Sequence, residues 1–316
     1  MAHMVETMAY AGEVPWHGLG VPVSNDLTPR QMMEKAGVDW TVEKVPTVVR
    51  HKGDTISTGT NALVRSSDSK VLAPMVGDNW EPVQNEEAFD FFNEYCLAGD
   101  MEMHTAGSLE EGRVVWALAK IKESFDILGG DQVDSYLLFS NPHKYGKCVD
   151  IRFTPIRVVC NNTLTMSLNQ QVANSVRLNH RSAFDPDKVK ETLGIASEKF
   201  SQYREMAEFL STKRFNMESL VQYYNQIFPR ANDKKEVKIV DDLTTTGKRA
   251  FEVLQTQPGA NFGAGTWWSA LNSVTYLTDH ELGRTTDARI NSAWFGINQT
   301  RKIKAAEKAV EFALAA

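Results

Sequence analysis

In the first half of the chain apolar residues recur mainly at every second position. In the second half they recur at intervals of three and four, which predicts strands with inserted helices followed by a helical region. Thr28 before Pro29 marks the start of a short helix that Gly37 closes. Thr41 to Arg50, Asn61 to Arg65 and Val71 to Val76 have strand character, the last two around the polar turn Ser66 to Lys70. Asn85 caps a helix in which Glu86 and Glu87 suit the positive end, Ala88, Phe91, Phe92 and Tyr95 form an apolar face, and Gly99 ends it. Met101 to Thr105 and Arg113 to Ile121 flank a turn holding Gly107 and Gly112, the pattern of a hairpin. Val133 to Ser140 and Cys148 to Val159 are two further strands, joined by the basic turn Asn141 to Lys147.

Beyond residue 184 the period changes. Pro186 opens a helix carrying Val189, Leu193, Ala196, Phe200, Tyr203, Met206, Phe209 and Leu210 on one side. Further helices are expected over Met217 to Ile227, Asp241 to Leu254, Trp267 to His280 and Arg301 to Leu314. The charged stretch from Pro229 to Lys238 is the linker candidate. Short connections between successive strands favour an antiparallel meander over a doubly wound parallel sheet. The expected fold is therefore α+β: a largely antiparallel sheet with inserted helices over residues 1–184, and a helical region over 185–316 that packs on the same core or beside it.

Composition narrows the class. At 316 residues, 42% hydrophobic and 23% charged, the chain has apolar mass for one large core or two smaller ones. No apolar run reaches the roughly 20 residues that cross a bilayer, and the start has no charged-then-apolar leader, so a cytoplasmic protein is expected. Cys96, Cys148 and Cys160 form no CxxC pair, and buried free thiols are expected.

Charge changes the picture more. Lys144, Lys147, Arg152, Arg157, Arg177 and Arg181 stand against the single acid Asp150 between Asn141 and Ser182, a formal charge of +5 in a chain of −6. A cationic strip on an anionic body suits a polyanionic ligand. On a strand ending near Cys160, Arg157 lies just before the polar string Asn161-Asn162-Thr163. Amides and free backbone donors at a strand end can meet phosphates or base edges, and Asn162 or Thr163 can equally cap a helix over Leu164 to Leu168. Tyr145 in the basic turn offers a ring on which a base can stack. Of Trp267 and Trp268, one shares a side with Leu271 and Val274 and the other with Asn272, Thr275 and Asp279, and a place in the core is the favoured reading of the pair. The basic residues Arg301, Lys302, Lys304 and Lys308 of the last helix read as a solvated face.

Most chemical motifs are missing. Thr244 to Arg249 fails as a P-loop at both ends, and Gly259, Gly263 and Gly265 follow a helix, so they read as a helix-entry loop and not as a phosphate cradle. The histidines are scattered, and no metal site or cofactor is expected. Glu86-Glu87 and Glu110-Glu111 read as solvated acid pairs.

Three spaced motifs carry a resemblance. Trp16-His-Gly-Leu-Gly20, Arg157-Val-Val-Cys-Asn-Asn-Thr-Leu164, and the run from Gly265 through Trp267-Trp268 to Thr278-Asp-His280 are similar, in this order, to the phage/plasmid-like proteins of domain of unknown function 932. The resemblance implies a protein of phages, prophages or plasmids working in the bacterial host cytoplasm. It leaves three functional readings open. The first is a nonenzymatic single-stranded DNA-binding protein that anneals strands as a homo-oligomer in recombination, similar in outline to strand-annealing proteins. In it Lys144, Lys147, Arg152, Arg157, Arg177 and Arg181 hold phosphates while Tyr145, Asn161 and Asn162 meet bases or sugars. The second is an enzyme or sequestering protein for a nucleotide or other small anion, with His17, His143 or His180 near Arg157 in a pocket. The third is a structural or partner-binding phage protein.

Overall fold

Thr28 shows why the first helix begins where it does. Its backbone is extended, its hydroxyl accepts from the backbone N–H of Gln31, and the Gln31 side chain accepts from the Thr28 N–H at 2.9 Å, a reciprocal capping box at the head of α1 (Pro29–Lys35). Gly37, at φ +66°, closes the helix in the left-handed conformation that a residue lacking Cβ adopts without strain. The computed structural model describes residues 5–12, 19–98, 101–147, 149–157, 162–163, 176–178, 186–230, 237–284 and 286–315.

The architecture is α+β. The strands are β1 (Val5–Ala11), β2 (Val21–Val23), β3 (Val42–His51), β4 (Asp54–Arg65), β5 (Val71–Val76), β6 (Met101–Leu109), β7 (Val114–Ile127), β8 (Asp131–Pro142), β9 (Val149–Arg157), β10 (Asn162–Thr163) and β11 (Val176–Leu178). Eight of them form a sheet in the order β10-β9-β8-β7-β6-β1-β2, with β11 also paired to β9, and β3-β4-β5 form a second, three-stranded sheet. β6 to β10 lie in chain order, as a meander requires, and β6 pairs antiparallel with β7 and β9 with β10. β1 and β2 pair in parallel. The remaining helices are α2 (Asn85–Ala98), α3 (Pro186–Thr212), α4 (Met217–Ile227), α5 (Thr245–Thr256), α6 (Trp267–Tyr276), α7 (Thr286–Phe295) and α8 (Ile297–Ala315), with a 3₁₀ turn over Val240–Asp242 and a π turn over Leu277–Glu281.

Contacts divide the chain into two units. The first comprises residues 1–122, 136–153 and 168–195, and the second residues 123–135, 154–167 and 196–316. In the first unit, Met32 and Met33 of α1 and Phe89 and Phe92 of α2 bury against Ala106 of β6 and the alternating Val115, Ala117 and Ala119 of β7. The small alanines let the helices approach the sheet closely. Cys96 belongs to the rim of this core, and burial pushes its thiol up to about 11, so at neutral pH it is an inert thiol.

In the second unit, Asn216, Thr244 and Thr266 cap α4, α5 and α6 through their side chains. Trp267 stacks on Phe312 at 5.4 Å and meets Tyr223 edge-on at 5.4 Å. Both tryptophans of the pair are buried, at 0% and 1% exposure, as the core reading of the pair expects, and Asn272, Thr275 and Asp279 are buried with them. The indole N–H of Trp268 donates to Asp131 Oδ2 at 2.8 Å, which satisfies the polar edge inside the core.

Other expectations also change. Asn162 and Thr163 are strand residues opposite Arg157 and Ile156. The helix expected over Leu164 to Leu168 lies outside the described residues, as do His17, Cys148, Cys160, Asn161, His180 and Arg181. The helix expected to run to His280 gives way to the π turn at Leu277, and α7 adds a helix before α8. No helix among the described residues is long and apolar enough to cross a membrane.

Candidate functional site

The basic turn between β8 and β9 sits on a buried polar scaffold within the first unit. Asn85, 1% exposed at the head of α2, donates its amide to the carbonyls of Val38 (2.9 Å) and Trp40 (3.2 Å). Its Oδ1 lies 3.0 Å from Nε2 of His143, which is fully buried at the end of β8. Asn141 donates to the Val83 carbonyl at 2.7 Å. The His143 backbone N–H donates to the Arg113 carbonyl at 2.8 Å, and the Lys144 ammonium pairs with Glu110. The turn is thus fastened to the β6–β7 hairpin at two successive residues.

Lys144 to Lys147 then form a tight turn closed by the Lys147 N–H on the Lys144 carbonyl at 3.3 Å, with Gly146 at φ +72° in the third position. This geometry leaves Tyr145 at a corner, 68% exposed, and Lys147 exposed beside it.

The hairpin under the turn is itself unusual. Glu110, Glu111 and Gly112 all have positive φ, at 52°, 62° and 84°. Glu110 holds Lys144, Glu111 holds Lys70 at 3.0 Å, and Gly112 lies against Arg65. These acids were expected to be merely solvated, and instead each is an ion-pair partner in a fixed backbone. Arg65, 8% exposed in its side chain, forks between Glu6 (2.7 and 2.9 Å) and Asp68 (2.6 and 2.8 Å) and stacks its guanidinium over Trp40 at 5.3 Å. The hydrogen bond from Arg65 lowers the Glu6 pKa and holds Asp68 down at about 2.

The other strip residues divide by position. Arg152 pairs with Asp150 on β9, both side chains largely buried, and Arg177 stands opposite Asp150 in the β11–β9 register. Arg157 ends β9 opposite Asn162. Lys144 and Arg152 therefore carry carboxylate partners, whereas Tyr145 and Lys147 face solvent. The side chains of Arg157, Asn162 and Arg177 lie outside what is described.

A second polar cluster, in the second unit, was not legible as such. Lys302 of α8 and Asp279 of the π turn form an ion pair at 2.6 Å with 0% and 1% side-chain exposure. Lys302 was expected on a solvated face. It lies instead on the stripe of Ala305, Ala306, Ala309 and Ala313, a spacing that marks one helical face. Burial lowers its pKa, and Asp279 opposes that shift. Asn298 steadies the turn by donating to the carbonyls of Thr278 (3.2 Å) and Leu282 (3.3 Å). Tyr276 stacks on His280 at 4.4 Å.

Gly259, Gly263 and Gly265, all at positive φ, form the loop into α6. Part of this loop, Ala260, Asn261, Ala264 and Gly265, lines a cavity of about 490 Å³ with Phe215 and Leu254, walls too apolar for a phosphate. Among the described residues no group of three or more His, Cys, Asp or Glu side chains is placed to hold a metal ion.

Residues 74–305 match the family described as domain of unknown function DUF932. The chain belongs to that family. The match takes in two of the three motifs, around Arg157 and from Gly265 to His280, and begins after Trp16 to Gly20. In this DUF932 protein the matched span includes the basic turn, its scaffold from Asn85 onward, and the Asp279–Lys302 pair. Neither the curated proteins nor the solved structures searched give a match to the chain.

Proposed function

We propose that this chain is a single-stranded DNA-binding protein of a phage or other mobile element, a homo-oligomer that brings complementary strands together. The observation that carries the reading is Tyr145, a large ring 68% exposed at the corner of a basic turn whose neighbours His143 and Lys144 are tied to the β6–β7 hairpin. Bases stack on such rings whatever their sequence, at about 1–3 kcal/mol each, and a turn whose neighbouring residues are tied down loses less entropy on binding than a free loop. Lys147 supplies the adjacent exposed cation for a phosphate. Lys144 and Arg152 would have to exchange Glu110 and Asp150 for phosphate, so they contribute less. Arg157, Asn162 and Arg177, with Asn161 and Arg181, extend the proposed contact along the sequence.

Fluorescence anisotropy with a labelled single-stranded oligonucleotide and its duplex, at low and physiological salt, tests the reading. The expected result is preference for the single strand, affinity that falls steeply with salt, and weaker binding of every sequence by Lys147→Ala and Arg157→Ala. Absence of binding at low salt overturns it.

A further inference from the structure

The three-stranded sheet ends in an arm with no third strand beside it among the described residues. β5 pairs with β4 at Asn61, Leu63 and Val64, so the β3–β4 hairpin continues past it as two strands alone, through the pairs Val48 with Ser57, Val49 with Ile56, Arg50 with Thr55 and His51 with Asp54. All of residues 48–59 are exposed. The arm is nevertheless well formed at its tip. Lys52 and Gly53 both have positive φ, 50° and 93°, the primed turn that matches strand twist. Val48, Val49 and Ile56 are 53%, 53% and 52% exposed, an apolar load that a free hairpin has no reason to carry. β3 is also the edge strand of its sheet.

The same unit contains a recess of opposite character. Glu34, Asp39, Glu86, Glu87 and Asp90 line a cavity of about 360 Å³ with Met33 and Trp40 and one cation, Arg30. Arg30 is shared between Glu34 and Glu86, each at 3.4 Å, which leaves the lining strongly negative. The arm tip, with Arg50 and Lys52 against the single carboxylate of Asp54, carries a net positive charge.

We infer that the arm of one copy docks its basic tip and apolar flank at the acidic recess of a second copy. Trp40 and Thr41 of the recess directly precede β3, and the arm stands exposed beyond them, so the recess it fills belongs to a neighbour. Arm and recess are different surfaces, so the contact is head-to-tail and repeats into a ring or a filament. The inference goes beyond the DNA-binding reading and shares with it only the homo-oligomer.

Sedimentation velocity of the full chain tests it. The expected result is assembly that grows with protein concentration and weakens with salt, because the docking charges are screened. Arg50→Glu/Lys52→Glu and Asp39→Lys/Asp90→Lys change exposed side chains, and each double variant is expected to sediment as a monomer with an unchanged thermal melt. Mixing the two variants is expected to restore assembly, since each reversed tip then meets a reversed recess. A wild-type chain that stays monomeric, or reversal variants that assemble like the wild type, overturns the inference. So does an Arg50→Glu/Lys52→Glu chain that loses DNA binding and sediments unchanged, which would make the arm a nucleic-acid contact. A monomer that still binds single strands leaves the DNA reading standing, so the two failures are distinguishable.

Discussion

Gly112 and Arg65 fit together only because residue 112 has no side chain: a Cβ there would stand 2.6 Å from Nη1 of the guanidinium, 3.3 Å from Glu6 and 3.4 Å from Trp40. Its φ of +84° adds a second reason, since side chains disfavour that region by about 1–2 kcal/mol. Gly112→Ala is therefore expected to destabilise the protein by roughly 2 kcal/mol or more, because Arg65 is already forked between two carboxylates and has nowhere to shift. Glu111→Gly removes a strained residue at the cost of one ion pair to Lys70, and is expected to change stability by less than about 1 kcal/mol. Urea denaturation of both variants checks the contrast; equal losses would mean that the hairpin backbone and not the Arg65 contact sets the requirement.

The same guanidinium makes stability depend on acid. Glu6 and Asp68 are both held below their ordinary values of 4.5 and 3.8, first by hydrogen bonds from Arg65. A carboxylate with a lowered folded pKa binds its proton more weakly in the fold than in the unfolded chain. Its contribution is thus complete above the unfolded value and is lost as pH falls through the folded one, here between about 4.5 and about 2. The melting temperature is expected to drop over that window, and Arg65→Met is expected to flatten the drop while lowering stability at neutral pH. A wild-type acid limb retained unchanged in Arg65→Met would assign the acid sensitivity to other carboxylates.

Tyr145 separates stacking from hydrogen bonding. Tyr145→Phe keeps the ring and is expected to bind single-stranded DNA like the wild type. Tyr145→Ala is expected to lose about 1–3 kcal/mol if one base stacks there, or about 5- to 150-fold in Kd. Because the side chain is 68% exposed, neither change should move the thermal melt. Anisotropy that is unaffected by Tyr145→Ala would remove the turn from the contact and leave its exposed ring unexplained.

Where capping chemistry or a clean period was present, the sequence announced the element. Thr28-Pro29 with Gly37 located α1, Met217 to Ile227 is α4, and Val71 to Val76 is β5, because each boundary is set by residues within the element. β4 was read from Asn61 and in fact starts at Asp54, since the arm is exposed on both faces and so has no alternation to read. β1 escaped for a related reason: its burial changes along its length, from a half-exposed start to the fully covered Met8 to Ala11. Of the candidate site, the exposed members Tyr145 and Lys147 were visible as a cationic turn. What could not be read locally was which cations were already matched, because Glu110 lies 34 residues from Lys144. Asp279 is similarly remote from Lys302, 23 residues away. Lys302 was the one recoverable miss, since its spacing from Ala305, Ala306 and Ala309 puts it on the apolar stripe.

That buried pair supports the last prediction. With both side chains at 0–1% exposure, neither charge can find water if the other is removed, so Lys302→Met leaves the Asp279 carboxylate buried without its ammonium. Loss of about 3–5 kcal/mol is expected for Lys302→Met and for Asp279→Leu. The double variant Lys302→Met/Asp279→Leu removes both desolvation costs and is expected to be more stable than either single variant. Attraction in a dry environment and desolvation nearly cancel, so the pair adds little net stability, and its effect is to fix where the π turn meets α8. A double-mutant cycle by urea denaturation measures this, with Trp267 and Trp268 of the same unit as fluorescent reporters. Additive losses in the double variant would mean that the two side chains are held by other groups and not by each other.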